Sequence, residues 1–271
     1  GETMTTEQIE DLGPYVIREQ LAPGVVSLVL NRPKAFNSLS EGMLAALQAE
    51  LSAVAKDSNV RVVVLSGAGK VFCAGHDLKE MRATPELAYY QDLFSSCSRL
   101  MLTIQQMPQP VIAKVHGIAT AAGCQLVAMC DLAVASDDTR FAVSGINYGL
   151  FCSTPSVGIS RNMHRKQAME MLLTGDFIDA KQAQERGLIN HAVPKENLDE
   201  ALQTLCGKIV EKPAVAVSMG KGLFYKQLEA GIESAYEMAG QTMACNMMDE
   251  TALEGFSAFI EKRVPNWKPK H

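Results

Sequence analysis

Two short stretches place small residues at points where a strand would turn into a helix. The first is Phe72-Cys73-Ala74-Gly75-His76-Asp77, and the second is Ala121-Ala122-Gly123-Cys124-Gln125. Small side chains let a ligand approach the main chain closely. The first N–H groups of a helix lack intrahelical partners and carry partial positive charge. Two such turns facing one another can donate to a single oxygen that gains negative charge. A donor in such an oxyanion hole is worth about 3–4 kcal/mol. The same small residues also suit tight helix–strand packing, and spacing alone leaves both readings open.

Elements that would carry these turns follow from pattern. Residues 15–30 hold two β-rich runs, YVIREQ and VVSLVL, around the turn-prone APG, and predict an extended pair. A loop rich in Pro and Asn follows over residues 31–40. Ser40 then caps a helix in which Met43, Leu44, Leu47, Leu51 and Val54 recur at helical spacing. Residues 62–65, 111–115, 131–136 and 188–193 read as strands, and residues 87–106 as a long helix stopped by Pro108 and Pro110. Strand and helix alternate, which indicates an α/β core. After Pro194 nearly everything to residue 262 reads as helix, and the polar tail WKPKH as frayed. Neither a linker nor an internal repeat divides the chain.

Composition narrows the function classes. The chain has 271 residues, 47% hydrophobic and 20% charged, with a net charge of −5. That is globular, and an acidic balance argues against coating nucleic acid. Seven cysteines without CxxC or paired Cys/His spacing read as reduced, buried thiols, so no metal site is expected. No apolar run approaches the ~20 residues of a membrane span. The acidic start GETMTTEQIEDLG resembles no export signal, so a cytoplasmic location is expected, with Gly1, Glu2 and Thr3 a tag remnant before Met4.

The flanking segments carry a family resemblance. NRPKAFNSLS (31–40), FCAGHDLKEM (72–81), VIAKVHGIATAAGCQLVAMCDLAVAS (111–136), MLLTGDFIDAKQAQERGLINHAVP (171–194) and EGFSAFIEKRVPNW (254–267) together resemble the crotonase, or enoyl-CoA hydratase/isomerase, superfamily over nearly the whole chain. The resemblance implies a crotonase-type spiral of ββα units with a C-terminal helical oligomerisation region. The expected division is a flexible N-terminus over 1–13, an acyl-CoA-binding core over 14–200 and a trimerisation region over 201–271. A homotrimer, or a hexamer as a dimer of trimers, is implied. The ligand would be a coenzyme A thioester, as substrate and without a further cofactor.

By position, the N–H groups of His76 and Ala122 would bind the thioester oxygen. Lys34, Ala35, Phe36, Ala74, Asp77, Leu78, Gly123 and Lys262 would border the CoA arm. Departures from the family pattern decide the chemistry. Where typical hydratases carry two glutamates, this chain has Gln125 and Gly145. Hydration needs a group that activates water and one that protonates Cα, each contributing about 10²–10⁴-fold. An amide orients a water but exchanges no proton at neutral pH. Ordinary hydration is therefore expected to be weak or absent. Tyr148, Cys152 and Ser153 follow the lost glutamate; a chemical role in an acyl pocket and a packing role, with Ser or Thr capping a helix, stay open. Two rivals remain beside the hydratase-like enzyme: a decarboxylase or lyase on malonyl-type thioesters that uses the same hole, and an acyl-CoA-binding protein without chemistry.

Overall fold

The computed structural model describes residues 12–267. The tag remnant, most of the expected flexible N-terminus and the end of the polar tail lie outside the described residues.

Strands β1 (Val16–Ala22) and β2 (Val25–Leu30) form the expected hairpin, with Gly24 at positive φ in its turn. Ser40 caps α1 (Glu41–Ala55) through Met43 N, and all five residues at helical spacing are buried. The chain continues through β3 (Val62–Gly67), α2 (Leu78–Ala83), α3 (Leu87–Gln106), β4 (Val111–Val115), β5 (Ile118–Thr120) and α4 (Ala122–Met129). Then come β6 (Leu132–Ser136), β7 (Arg140–Ala142), α5 (Ser153–Ser160), α6 (Arg165–Thr174), β8 (Ile178–Asp179), α7 (Ala180–Glu185) and β9 (His191–Val193). Four helices end the described chain: α8 (Leu198–Val210), α9 (Ala214–Leu228), α10 (Ile232–Met247) and α11 (Glu250–Ile260).

Six strands make one sheet in the order β1-β2-β3-β4-β6-β9, parallel except for the β1–β2 hairpin. A second sheet, β5-β7-β8, holds three short strands, of which only β5 lies among the small residues after Gly117. The strand expected over 188–193 is shorter: Leu188 and Ile189 are buried packing residues, and only His191–Val193 pairs with β6.

Both faces of the large sheet are covered, as parallel strands require. Val26, Leu28, Leu30, Val63, Leu65 and Ala113 join the main core. On the opposite face Val25, Val62, Val64, Ile112 and Val134 meet Leu198, Leu202 and Cys206 of α8. Helix α8 thus straddles the expected boundary at residue 200 and packs on the sheet.

One polar anchor fastens the helices that follow. Lys221 of α9 donates to the carbonyls of Ile104 and Gln109, each at 2.7 Å, and to Asp131 Oδ2 at 2.8 Å. Tyr225 donates to Asp131 Oδ1 at 2.6 Å, and Val111 N donates to Oδ2 at 2.7 Å. Apart from this anchor α9 has no buried residue, and α10 and α11 bury only Ala235 and Ala258.

Candidate active site

The loop between β2 and α1 builds the frame. Phe36 and Asn37 both adopt left-handed conformations, φ 53° and 52°. Asn is among the few side chains that tolerate this. Asn37 is fully buried, and its Nδ2 donates to the carbonyls of Ala68, Val71 and Phe72 at 2.8, 3.0 and 3.2 Å. Its Oδ1 accepts from Arg32 N at 2.8 Å. Two further bonds clamp the turn that follows: Ala74 N donates to Phe36 O at 3.0 Å, and Leu39 N to Gly75 O at 2.7 Å.

That turn lies directly against the second one. Thr120 N donates to Cys73 O at 3.1 Å, and Ala121 N to Ala142 O at 2.9 Å. A Cβ on Gly123 would fall 2.2 Å from Cys73 O, so only glycine fits there. Gly75, at φ 92°, sits where a Cβ would lie 3.3 Å from Ala122 N and 2.9 Å from the Ala121 methyl. Ala121 itself has φ 52° and ψ −123°, a strained backbone for a residue with a side chain. Helix α4 begins at Ala122 and is buried along almost its whole length. Neither His76 N nor Ala122 N donates to another group among the described residues. Two unpaired amides therefore belong to turns that touch backbone to backbone.

The His76 side chain is enclosed. Its Nδ1 lies 3.4 Å from Leu39 O, and since a carbonyl only accepts, Nδ1 carries the proton. Nε2 is buried without a partner. The ring of Phe94, from α3, meets the imidazole edge-on at 5.5 Å between centroids. Burial lowers the His76 pKa against the opposing pull of Leu39 O, so the ring is neutral.

Gln125 stands one turn into α4, 4% exposed, with Oε1 buried and unpartnered. Gly145 lies in the 3₁₀ turn Ser144–Tyr148, where a Cβ would meet Leu150 O at 2.7 Å and Cys152 Sγ at 2.9 Å. The room a longer side chain would need is filled. Burial raises the Cys152 thiol, while the Gly145 amide facing its sulfur lowers it. Within the two turns Cys73 and Cys124 are both pushed up to about 12 by burial, so neither offers a thiolate. All seven cysteines are free; six are buried and Cys245 is exposed.

A cleft of about 450 Å³ opens beside the first turn, lined by Arg32, Lys34, Ala35, Ser40, Asp77 and Glu80 among others. Asp77 caps α2, accepting from Glu80 N at 3.1 Å. Phe36 and Leu78 are 55% and 63% exposed at this end of the molecule. Ala74 is half-buried and Gly123 buried, in the two abutting turns.

The remaining candidates do not line this cleft. Tyr148 is 78% exposed at the end of its 3₁₀ turn. Ser153 is exposed and donates to Phe151 O at 3.4 Å; the helix start is capped by neither Ser nor Thr, because Cys152 occupies the N-cap and makes no side-chain cap bond. Lys262 follows α11 with φ 57°, exposed, and does not line the cleft. Among the described residues no group of three or more His, Cys, Asp or Glu could hold a metal ion.

Sequence reading missed Asn37 and Phe94, and took Ala121 only as a small residue of the second turn. Asn37 was visible only as a loop former, and Phe94 as one more apolar residue of a long helix. Nothing about an alanine announces a left-handed backbone.

The family described as enoyl-CoA hydratase/isomerase matches residues 20–270. The rat protein named enoyl-CoA hydratase domain-containing protein 3, mitochondrial, is 44% identical over 254 residues, which cover 94% of this chain and 85% of the relative. A solved enoyl-CoA hydratase from Mycobacterium smegmatis is 61% identical with a TM-score of 0.93, covering 94% of this chain and 99% of that one. The crystal structure of human enoyl-CoA hydratase domain-containing protein 3 is 43% identical with a TM-score of 0.90, covering 93% and 100%.

Proposed function

The chain belongs to the enoyl-CoA hydratase/isomerase family and has its crotonase-type fold, and from that premise we propose that it binds an acyl-CoA and polarises the thioester carbonyl between the amides of His76 and Ala122. The observation that carries this reading is the pair of unpaired N–H groups on turns whose backbones touch. Such donors act on charge that develops during reaction and need no reorganisation. The cleft holding Lys34, Ala35 and Asp77 supports a CoA arm that runs past Phe36, Ala74, Leu78 and Gly123. Lys262, outside that cleft, is proposed to meet phosphate as a point charge. The CoA thioester is substrate, and no resident cofactor is proposed.

Hydration is proposed to be slow. Gln125 supplies an amide where a carboxylate would exchange protons, and Gly145 has Cys152 Sγ in the space a glutamate needs. His76, neutral and enclosed, acts first through its main chain. The filled Gly145 position favours a second reading, decarboxylation of a malonyl-type thioester. There the electron pair of the breaking C–C bond passes into the thioester enolate, carbon dioxide leaves, and water protonates Cα. That chemistry asks mainly for the two amides.

The test follows the enoyl absorbance of crotonyl-CoA with the parent protein and with Gln125→Glu, beside carbon dioxide release from malonyl-CoA. We expect thioester binding without rapid decay of absorbance. Decay at the rate of ordinary crotonases in the parent protein would refute the slow-hydration reading and send mutagenesis to Tyr148, Cys152, Ser153 and His76. Binding with no product from either thioester would leave an acyl-CoA-binding role.

Residues 201–271 are proposed to build a trimer, alone or doubled into a hexamer, on a core spanning 14–200. Cytoplasmic residence is proposed, although the rat relative's name places that protein in mitochondria. Cell fractionation decides. No described helix is long and apolar enough to cross a membrane.

A further inference from the structure

Strand β2 reads Val-Val-Ser-Leu-Val-Leu, and its alternation divides it between the two faces of the sheet. Val26, Leu28 and Leu30 face the main core. Val25, Ser27 and Val29 line a cleft of about 870 Å³ on the other face, bounded by α8. No residue of the candidate thioester site lines it.

Ser27 is the residue that packing does not explain. It is 5% exposed in a strand otherwise aliphatic, and its hydroxyl bonds no other described residue. The hydroxyl is not among the buried side-chain atoms left without a partner, so it is reached from the cleft. Its polar neighbours lie on adjacent strands. Ser27 itself pairs with Glu19 and Val64; two residues further along Val29 pairs with Ser66, and Leu65 with Ala113, so Ser66 and Lys114 lie side by side on β3 and β4 of the same face. Lys114 forms an ion pair with Asp199 of α8 across the cleft. An ammonium has three donors, so that pairing leaves Lys114 able to donate further.

Charge and shape define what fits. The walls are aliphatic, with Leu21, Val64, Leu202 and Val210. Glu19, Asp199 and Glu211 set three carboxylates against the single ammonium of Lys114 among the lining residues. That balance repels a polyanion such as an acyl-CoA. An uncharged head can accept from Lys114 and the serines and donate to Asp199. Cys206, also in the lining, has its thiol pushed up to about 11 by burial, so the cleft presents no thiolate. The volume lies within the ~300–1,000 Å³ common for small-molecule sites.

We propose that this cleft is a second binding site, separate from the thioester site, for a neutral amphiphile. Its aliphatic chain lies along Leu21, Val64 and Val210, and its hydroxyl-bearing head rests on Ser27, Ser66 and Lys114. The proposal does not depend on the thioester reading.

Isothermal titration with glycerol monocaprate below its micellar concentration tests it, with caprate as the anionic counterpart. Saturable one-to-one binding is expected, with caprate weaker. Ser27→Val removes the hydroxyl and keeps a side chain suited to a strand. Leu21→Glu adds a carboxylate at a half-exposed position. Each is expected to weaken monocaprate by roughly tenfold, with acyl-CoA affinity and melting temperature as in the parent. Absence of saturable binding, binding indifferent to either substitution, or caprate binding as tightly as monocaprate would overturn the proposal.

Discussion

His76 shows how one residue serves two ends. Its amide is unpaired at the turn, while its ring is sealed beside Phe94 and kept neutral by burial. The ring makes stability depend on pH with a definite sign. Its folded pKa lies below the ordinary value of 6.5, so on acidification the unfolded chain binds a proton that the folded chain refuses. Its contribution to stability is intact above about pH 6.5 and declines as the pH falls from there toward the lowered folded pKa. Urea titrations between neutral and mildly acidic pH should show that decline, and His76→Gln should flatten part of it. Gly75 carries the sharper functional prediction. Gly75→Ala places a methyl at φ 92° against the Ala121 methyl and near Ala122 N, spreading the two turns. Turnover of whichever thioester proves to be the substrate should fall about a hundredfold, while circular dichroism stays that of the parent.

Elements hold these residues through a few polar fasteners. The 72–77 turn is fixed to the loop by Asn37, and α9 is fixed to the sheet by Lys221 and Asp131. That ion pair is well buried, with side-chain exposures of 6% and 11%. Removing one partner leaves a buried charge uncompensated. Lys221→Met should therefore destabilise the protein by on the order of 3 kcal/mol, read from urea unfolding, and Tyr225→Phe by about 1 kcal/mol. Helix α1 was legible because its apolar residues recur at helical spacing, and the β1–β2 hairpin and the parallel strands because they are short β-branched apolar runs bounded by turn residues. Strands β5, β7 and β8 were not. They are two or three residues long and exist because the second sheet pairs them, not because of any preference of their own.

The whole molecule leaves an unfinished surface. On the last helices and the turn that follows them, Phe259, Ile260 and Val264 are 85%, 75% and 85% exposed, and Tyr236 and Met243 are 74% and 73% exposed. Apolar surface on this scale marks an interaction face. If the proposed trimer uses it, light scattering of the parent should give three or six times the chain mass, and Phe259→Glu should release single chains.

The sequence by itself determined the alternation of strand and helix, the helical end and the two glycine-bearing turns, because periodicity and small-residue spacing are local properties. It also places Gln125 and Gly145 where the family resemblance leads one to expect carboxylates. Only the tertiary structure decided that the two turns touch, that Cys152 fills the space beside Gly145, and that Ser27 opens into a cleft rather than the core. Those facts depend on contacts between segments far apart in the chain, where a hydrogen bond from Asn37 or a van der Waals distance at Gly123 has no signature in residue type alone.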